Sequence, residues 1–206
     1  MRGPTRRELL LTAAGAAAAG AIGEAIAGVA APAARASTSS AKAPLSVPDQ
    51  LQELITVEML LLYCYQHVLA SSILSPRARR TVAPFVAHEQ AHIHALEREL
   101  TARGGHIPSP PASPTAANHA LAQRKVGGRL GQLRGDLDAI RLLLTTEQVT
   151  IGVYSAALTT IGQPTLIELL CQMMANDAQH DAMLGLLLPP GKIASAVPYG
   201  LVQGLQ

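Results

Sequence analysis

The sequence predicts an all-α fold, a four-helix bundle with one long crossover between its second and third helices. Three observations carry that prediction. Apolar residues recur at 3.6-residue spacing in four stretches of 20 or more residues. No segment shows the strict apolar–polar alternation of a half-buried strand. Two short connections and one of 25 residues separate the four stretches.

The first helix is expected to open at Pro48-Asp49 and run to about Ile73, with Leu51, Leu54, Ile55, Leu62, Tyr65 and Leu69 on one stripe. Ser75-Pro76 ends it and starts the second, which reaches about Arg103, with a kink or short break at Pro84, where a backbone donor is missing. Gly104-Gly105 stops that helix. Residues 104–128 hold Pro108, Pro110, Pro111 and Pro114 with little periodicity, and are expected to form a long connection. The third helix spans roughly Leu133 to Ile161, and the fourth runs from Pro164 to Leu188 before Pro189-Pro190-Gly191.

Length decides the topology. Helices of about 26 residues are about 40 Å long, and the 25-residue connection, at about 3 Å per residue, can travel that distance. The third helix can therefore begin at the end of the bundle opposite to where the second finishes. The bundle proper is assigned to residues 48–188. An apolar but Gly- and Pro-rich tail, 189–206, is left to drape over it or over an oligomer contact, or to fray, and a homo-oligomer is compatible with it.

Among the 206 residues, 49% are apolar and 15% charged, which excludes intrinsic disorder as the overall description. Four of the 16 basic residues (Arg2, Arg6, Arg7, Arg35) and two of the 14 acidic ones (Glu8, Glu24) precede residue 37, leaving 12 of each in the remainder. With no basic excess there, four Tyr, one Phe and no Trp, the chain offers neither a phosphate-binding patch nor a stacking platform, so nucleic-acid binding is excluded. The first 36 residues combine Thr5-Arg6-Arg7-Glu8-Leu9-Leu10, an Ala/Gly-rich apolar stretch over 9–31 and the small-residue run Ala34-Arg35-Ala36. This resembles a twin-arginine export signal cleaved after Ala36. The alternative is an uncleaved membrane anchor, against which the stretch is Ala-rich and contains Glu24; once the signal is cleaved, no stable membrane span is expected. Such a signal implies an exported bacterial protein of the periplasm, cell envelope or medium, folded before export. Residues 37–47 read as a flexible leader.

Inside the apolar stripes stand four acids. Glu58 lies within Leu54-Ile55-Thr56-Val57-Glu58-Met59-Leu60-Leu61-Leu62, where a carboxylate is costly unless paired or bound to a cation. Glu147 shares a face with Leu143, Leu144, Ile151 and Tyr154; Glu89 lies among Phe85, Ile93 and Leu96; Asp177 lies among Met173, Met174 and Leu184. Two of the four carry a histidine three residues on, Glu89 with His92 and Asp177 with His180, so carboxylate and imidazole share one helix face and can reach one ion.

The spacings repeat. Glu58 to Glu89 is 31 residues and Glu147 to Asp177 is 30; Pro76 and Pro164 each lie 13 before the acid of their helix; Tyr65 and Tyr154 each lie seven after theirs. The two helix pairs read as copies of one hairpin offset by 88 or 89 positions, and the copied positions are the metal-capable ones.

Over residues 49–188 this pattern resembles the ferritin-like superfamily, in particular its exported bacterial members. In such bundles one Glu from each of two helices and one Glu-x-x-His motif from each of the other two bind paired iron or manganese ions. The resemblance implies Glu58 and Glu147 as single-carboxylate ligands, Glu89 with His92 and Asp177 with His180 as the paired motifs, and two iron ions, or manganese, as cofactor. Asp177 stands where the family usually has Glu; one methylene shorter, it is expected either to bridge two ions less well or to bind one ion terminally, so that the two positions need not fill equally. No catalytic residue beyond the ligands is implied. The function expected is iron binding or oxidation, or redox chemistry on dioxygen or peroxide, with a non-catalytic envelope bundle carrying an empty or vestigial site as the alternative. Tyr65 and Tyr154 read either as hydrogen-bond donors to the ligand carboxylates or as plain core tyrosines.

His88, next to Glu89, is about 100° round the helix from it, and His67, His94, His106 and His119 show no ligand spacing; all five read as surface or incidental. Cys64 lies six after Glu58 and Cys171 six before Asp177. With the first and fourth helices parallel, the thiols should stand about 18 Å apart along the axis, which precludes an internal disulfide.

Overall fold

The computed structural model describes residues 45–189. The export signal, most of the leader and all but the first residue of the tail lie outside them.

Helix α1 spans Val47–Ala70, capped by Ser46, whose Oγ accepts from the Asp49 amide at 3.3 Å, with Pro48 in its first turn. At its C-terminus the Arg79 guanidinium reaches over to donate to the carbonyls of Leu69 and Ser71, both at 2.6 Å. The expected second helix is divided at Pro84 into α2, Pro76–Val82, and α3, Phe85–Ala102. Proline cannot donate to the preceding turn, so the rod separates there. Gly104, at φ 70°, then leaves the helix in the left-handed conformation that favours glycine.

The long connection after α3 is partly helical. It contains α4, Pro114–Gln123, capped by Ser113, which accepts from the Ala116 amide at 3.2 Å, and a short 3-10 turn at Leu130–Gln132. Only Ala117 and Leu121 of α4 are buried. They join the cluster that holds Leu60, Leu61 and Cys64 of α1, so α4 fastens the crossover to the bundle. Helices α5, Asp136–Leu158, and α6, Pro164–Gly185, complete it.

The course of the chain follows from named contacts. Gln52 near the start of α1 donates to the His106 carbonyl just beyond α3 at 2.6 Å, so α1 and α3 are antiparallel. Ser75, just beyond α1, donates its amide and hydroxyl to Asp136 at 2.6 and 2.5 Å, which puts the start of α5 at the far end from where α3 stops. Thr160, just past α5, donates to Gln50 at 2.9 Å and closes the antiparallel α1–α5 pair. This is the one-crossover bundle.

Its core is divided along the axis. One apolar cluster contains Leu60, Leu61, Phe85, Leu143, Leu144 and Leu184; the other contains Leu54, Ile55, Leu96, Tyr154, Leu170 and Met173. On each of the four long helices the change from one cluster to the other falls at the inward-facing acid. The polar residues thus occupy a layer at mid-bundle, closed by hydrocarbon on both sides.

Candidate metal centre

All six sequence-predicted ligands meet in that layer. Glu58, Glu89, Glu147 and Asp177 have no exposed surface, His180 retains 1% and His92 7%. Each arrives because its helix buries the stripe on which it lies.

Glu58, Glu89, His92 and Asp177 form one group of converging ligand atoms, and Glu89, Glu147, Asp177 and His180 a second. Glu89 and Asp177 belong to both. The shorter Asp177 stands within reach of both groups, as Glu89 does.

Both imidazoles turn Nδ1 inward. His92 Nδ1 lies 3.5 Å from Glu58, 3.4 Å from Glu89 and 3.3 Å from Asp177. His180 Nδ1 lies 2.9 Å from Glu89 and 3.2 Å from Glu147. None of these approaches has hydrogen-bond geometry: Glu58 Oε2, both oxygens of Glu89, His92 Nδ1, Glu147 Oε2, both oxygens of Asp177 and His180 Nδ1 are buried without a hydrogen-bond partner. So many orphaned atoms in one layer are far beyond the norm for a folded interior. Two ligands about 2.1 Å from one ion and separated by about 90–110° stand about 3.0–3.4 Å apart, close to the spacings seen. The donor set, carboxylate oxygen with imidazole nitrogen, suits divalent iron or manganese.

Charge points the same way. Without a cation, burial and then the Glu58 carboxylate push Glu89 up to about 8, and burial and then Glu89 push Glu147 up to about 8. Burial, followed by Glu58, Glu147 and Glu89, raises Asp177 well above the ordinary range. Burial would lower His92, but Glu58 and Glu89 outweigh it and raise the imidazole to about 10. Two divalent cations would neutralise four carboxylates, and among the described residues no Lys or Arg is buried to do so.

Tyr65 and Tyr154 are donors to this layer. The Tyr65 hydroxyl donates to Glu147, and that of Tyr154 to Glu58. Burial and the neighbouring carboxylates hold both phenols well above their ordinary range, so both remain protonated donors.

Two residues escaped the sequence reading. His88 is exposed, yet its Nδ1 lies 2.9 Å from His180 Nε2. Its register one turn before His92 was visible in the sequence, but its partner is on another helix. Asp181 is wholly buried beside His180 and belongs to neither ligand group. Burial pushes its carboxyl up to about 6, and the Gln148 amide beside it opposes that shift without reaching hydrogen-bond geometry. Cys64 is buried and Cys171 exposed, and both are free, as the parallel α1 and α6 require.

These features define a four-helix bundle whose core carries a carboxylate–histidine cluster able to hold metal. The ferritin-like domain matches residues 46–189, and the chain belongs to that family. No curated protein and no solved structure gives a significant match to the chain. No described helix is long and apolar enough to cross a membrane.

Proposed function

We propose that the cluster binds two divalent metal ions, iron or alternatively manganese, and that the protein oxidises iron or performs redox chemistry on dioxygen or peroxide outside the cytoplasm. The observation that carries this reading is the convergence of buried, unpartnered ligand atoms from six residues on four helices. One ion would be held by Glu58, Glu89, His92 and Asp177, the other by Glu89, Glu147, Asp177 and His180. Bound iron or manganese would supply the electrons for reducing dioxygen or peroxide.

The chain's own residues prepare the site. Tyr65 and Tyr154 each occupy one oxygen of Glu147 and Glu58, which leaves the second oxygen of each carboxylate free for an ion. The apolar clusters above and below exclude water and strengthen the attraction between carboxylates and cations.

Anaerobic titration of the purified protein with ferrous ion should show about two equivalents bound, and admission of air should produce a near-ultraviolet absorption band. Absence of binding would leave the non-catalytic envelope bundle as the surviving description. Unchanged stoichiometry after Glu147→Ala with His180→Ala would overturn the ligand assignment. The export features read over residues 1–36 support an extracytoplasmic location, and N-terminal sequencing of protein from its own host tests cleavage after Ala36.

A further inference from the structure

His180 is held on three sides. Its Nδ1 faces Glu89 and Glu147 at 2.9 and 3.2 Å, its Nε2 meets His88 Nδ1 at 2.9 Å, and the Phe85 ring lies across its face with centroids 4.0 Å apart and planes at 21°. The two imidazole planes are within 10° of parallel and their centroids 5.2 Å apart. With the bonded nitrogens only 2.9 Å apart, the rings meet edge to edge in nearly one plane, the arrangement of an in-line N–H···N bond.

Either nitrogen of that contact can carry the shared proton, and a ligand role for His180 Nδ1 selects between them. A metal ion takes a lone pair, so a His180 that offers Nδ1 to the cluster must carry its proton on Nε2. Nε2 then donates to His88 Nδ1, and His88 carries its own proton on its other nitrogen.

The internal repeat supplies a control. His88 immediately precedes Glu89, and the residue that immediately precedes Asp177 in the second hairpin is Asn176, which is half-buried. Among the described residues the contacts of His92 are made through Nδ1, and its Nε2 has no counterpart of the His88 bond. One imidazole of the pair is thus braced and the other is not.

The geometry points to His88 as a positioning residue that fixes the tautomer and orientation of His180, making the metal position of Glu89, Glu147, Asp177 and His180 the tighter of the two. This rests on the dimetal reading above. An exposed side chain then governs the order in which the positions fill, with the His180 half loading first.

The test is calorimetric titration of the whole protein with manganous ion, comparing wild type with His88→Ala, His88→Asn and Asn176→Ala, alongside thermal unfolding of each variant free of metal. Wild type should bind two equivalents in two resolved phases. His88→Ala should weaken the tighter phase about 10–100-fold and leave the other phase unchanged, while the metal-free melting temperature falls only by the roughly 2–4 °C that one lost hydrogen bond explains. His88→Asn should recover the tighter phase, because its amide oxygen can accept the same N–H, and Asn176→Ala should change neither phase. Two equivalents in wild type with both affinities unaltered in His88→Ala, or with His88→Asn as weak as His88→Ala, would overturn this assignment alone. Wild type that binds no metal would overturn the dimetal reading and this assignment with it.

Discussion

Tyr65 of α1 donates its hydroxyl hydrogen bond to Glu147 of α5, and Tyr154 of α5 returns the arrangement to Glu58 of α1. Each tyrosine lies seven residues after the glutamate of its own helix, about 10 Å along the axis, too far to reach it. Antiparallel packing brings each phenol level with the glutamate of the other helix. The crossed pair ties the two single-carboxylate helices together through the polar layer.

Tyr65→Phe should therefore loosen Glu147, and Tyr154→Phe should loosen Glu58. Each change leaves a buried carboxylate oxygen without its donor and should destabilise the protein by about 1–3 kcal/mol, while weakening metal binding about 10-fold or more. Denaturant melts with and without manganous ion measure both effects. The double variant should lose more metal affinity than stability, because the hydrogen bonds orient ligands as well as join helices.

Much of this was legible in one dimension. The four inward acids, the two histidines and the hairpin repeat were visible because a carboxylate within an apolar stripe conflicts with its surroundings, and the conflict recurs at matching positions. Helix α4 was not, although Ser113-Pro114 is a start signal: only Ala117 and Leu121 are buried, too few to produce a periodic stripe. The exchange of tyrosines and the His88–His180 contact depend on which helices are neighbours and at what level, and no local pattern encodes that.

The pH dependence of the metal-free protein follows from the carboxyls. Glu89 and Glu147 rise from the ordinary 4.5 to about 8 in the fold, so the stability they contribute is full below about 4.5 and is lost as pH rises to about 8. His92, raised from 6.5 to about 10, adds stability that is likewise full below 6.5 and lost as pH climbs to about 10. In the presence of a chelator the melting temperature should fall steadily between about pH 5 and pH 9. Metal affinity should change in the opposite sense, since ligands must shed protons to bind. A chelated melting curve that is flat or rises over that range would contradict the buried, uncompensated carboxylates.

Thiol chemistry reports on the helix order. Burial pushes the Cys64 thiol up to about 12, whereas Cys171 is exposed on α6. An alkylating agent at neutral pH should modify Cys171 rapidly and Cys64 only after denaturation. Mild oxidation should produce no internal disulfide. A Cys64–Cys171 bond in folded protein would refute the parallel placement of α1 and α6.

Glu89→Gln separates stability from metal binding. Glu89 belongs to both ligand groups, is wholly buried and is flanked by other carboxylates, so its charge is a liability whenever no cation is present. A neutral amide of the same shape removes that repulsion and can donate to a neighbouring carboxylate. At pH 9, where the native side chain is ionised, the metal-free variant should be more stable than wild type by about 1–4 kcal/mol, seen as a rise of roughly 2–4 °C in melting temperature for each kcal/mol. At pH 5, where Glu89 is already protonated, the two should melt together. Binding at both metal positions should fall at least about 100-fold, because one substitution touches both groups. A stable variant that cannot load metal would show that the layer is maintained for its ligands at a cost to the fold. A variant less stable than wild type at pH 9 would mean instead that the Glu89 carboxylate is compensated within the protein itself.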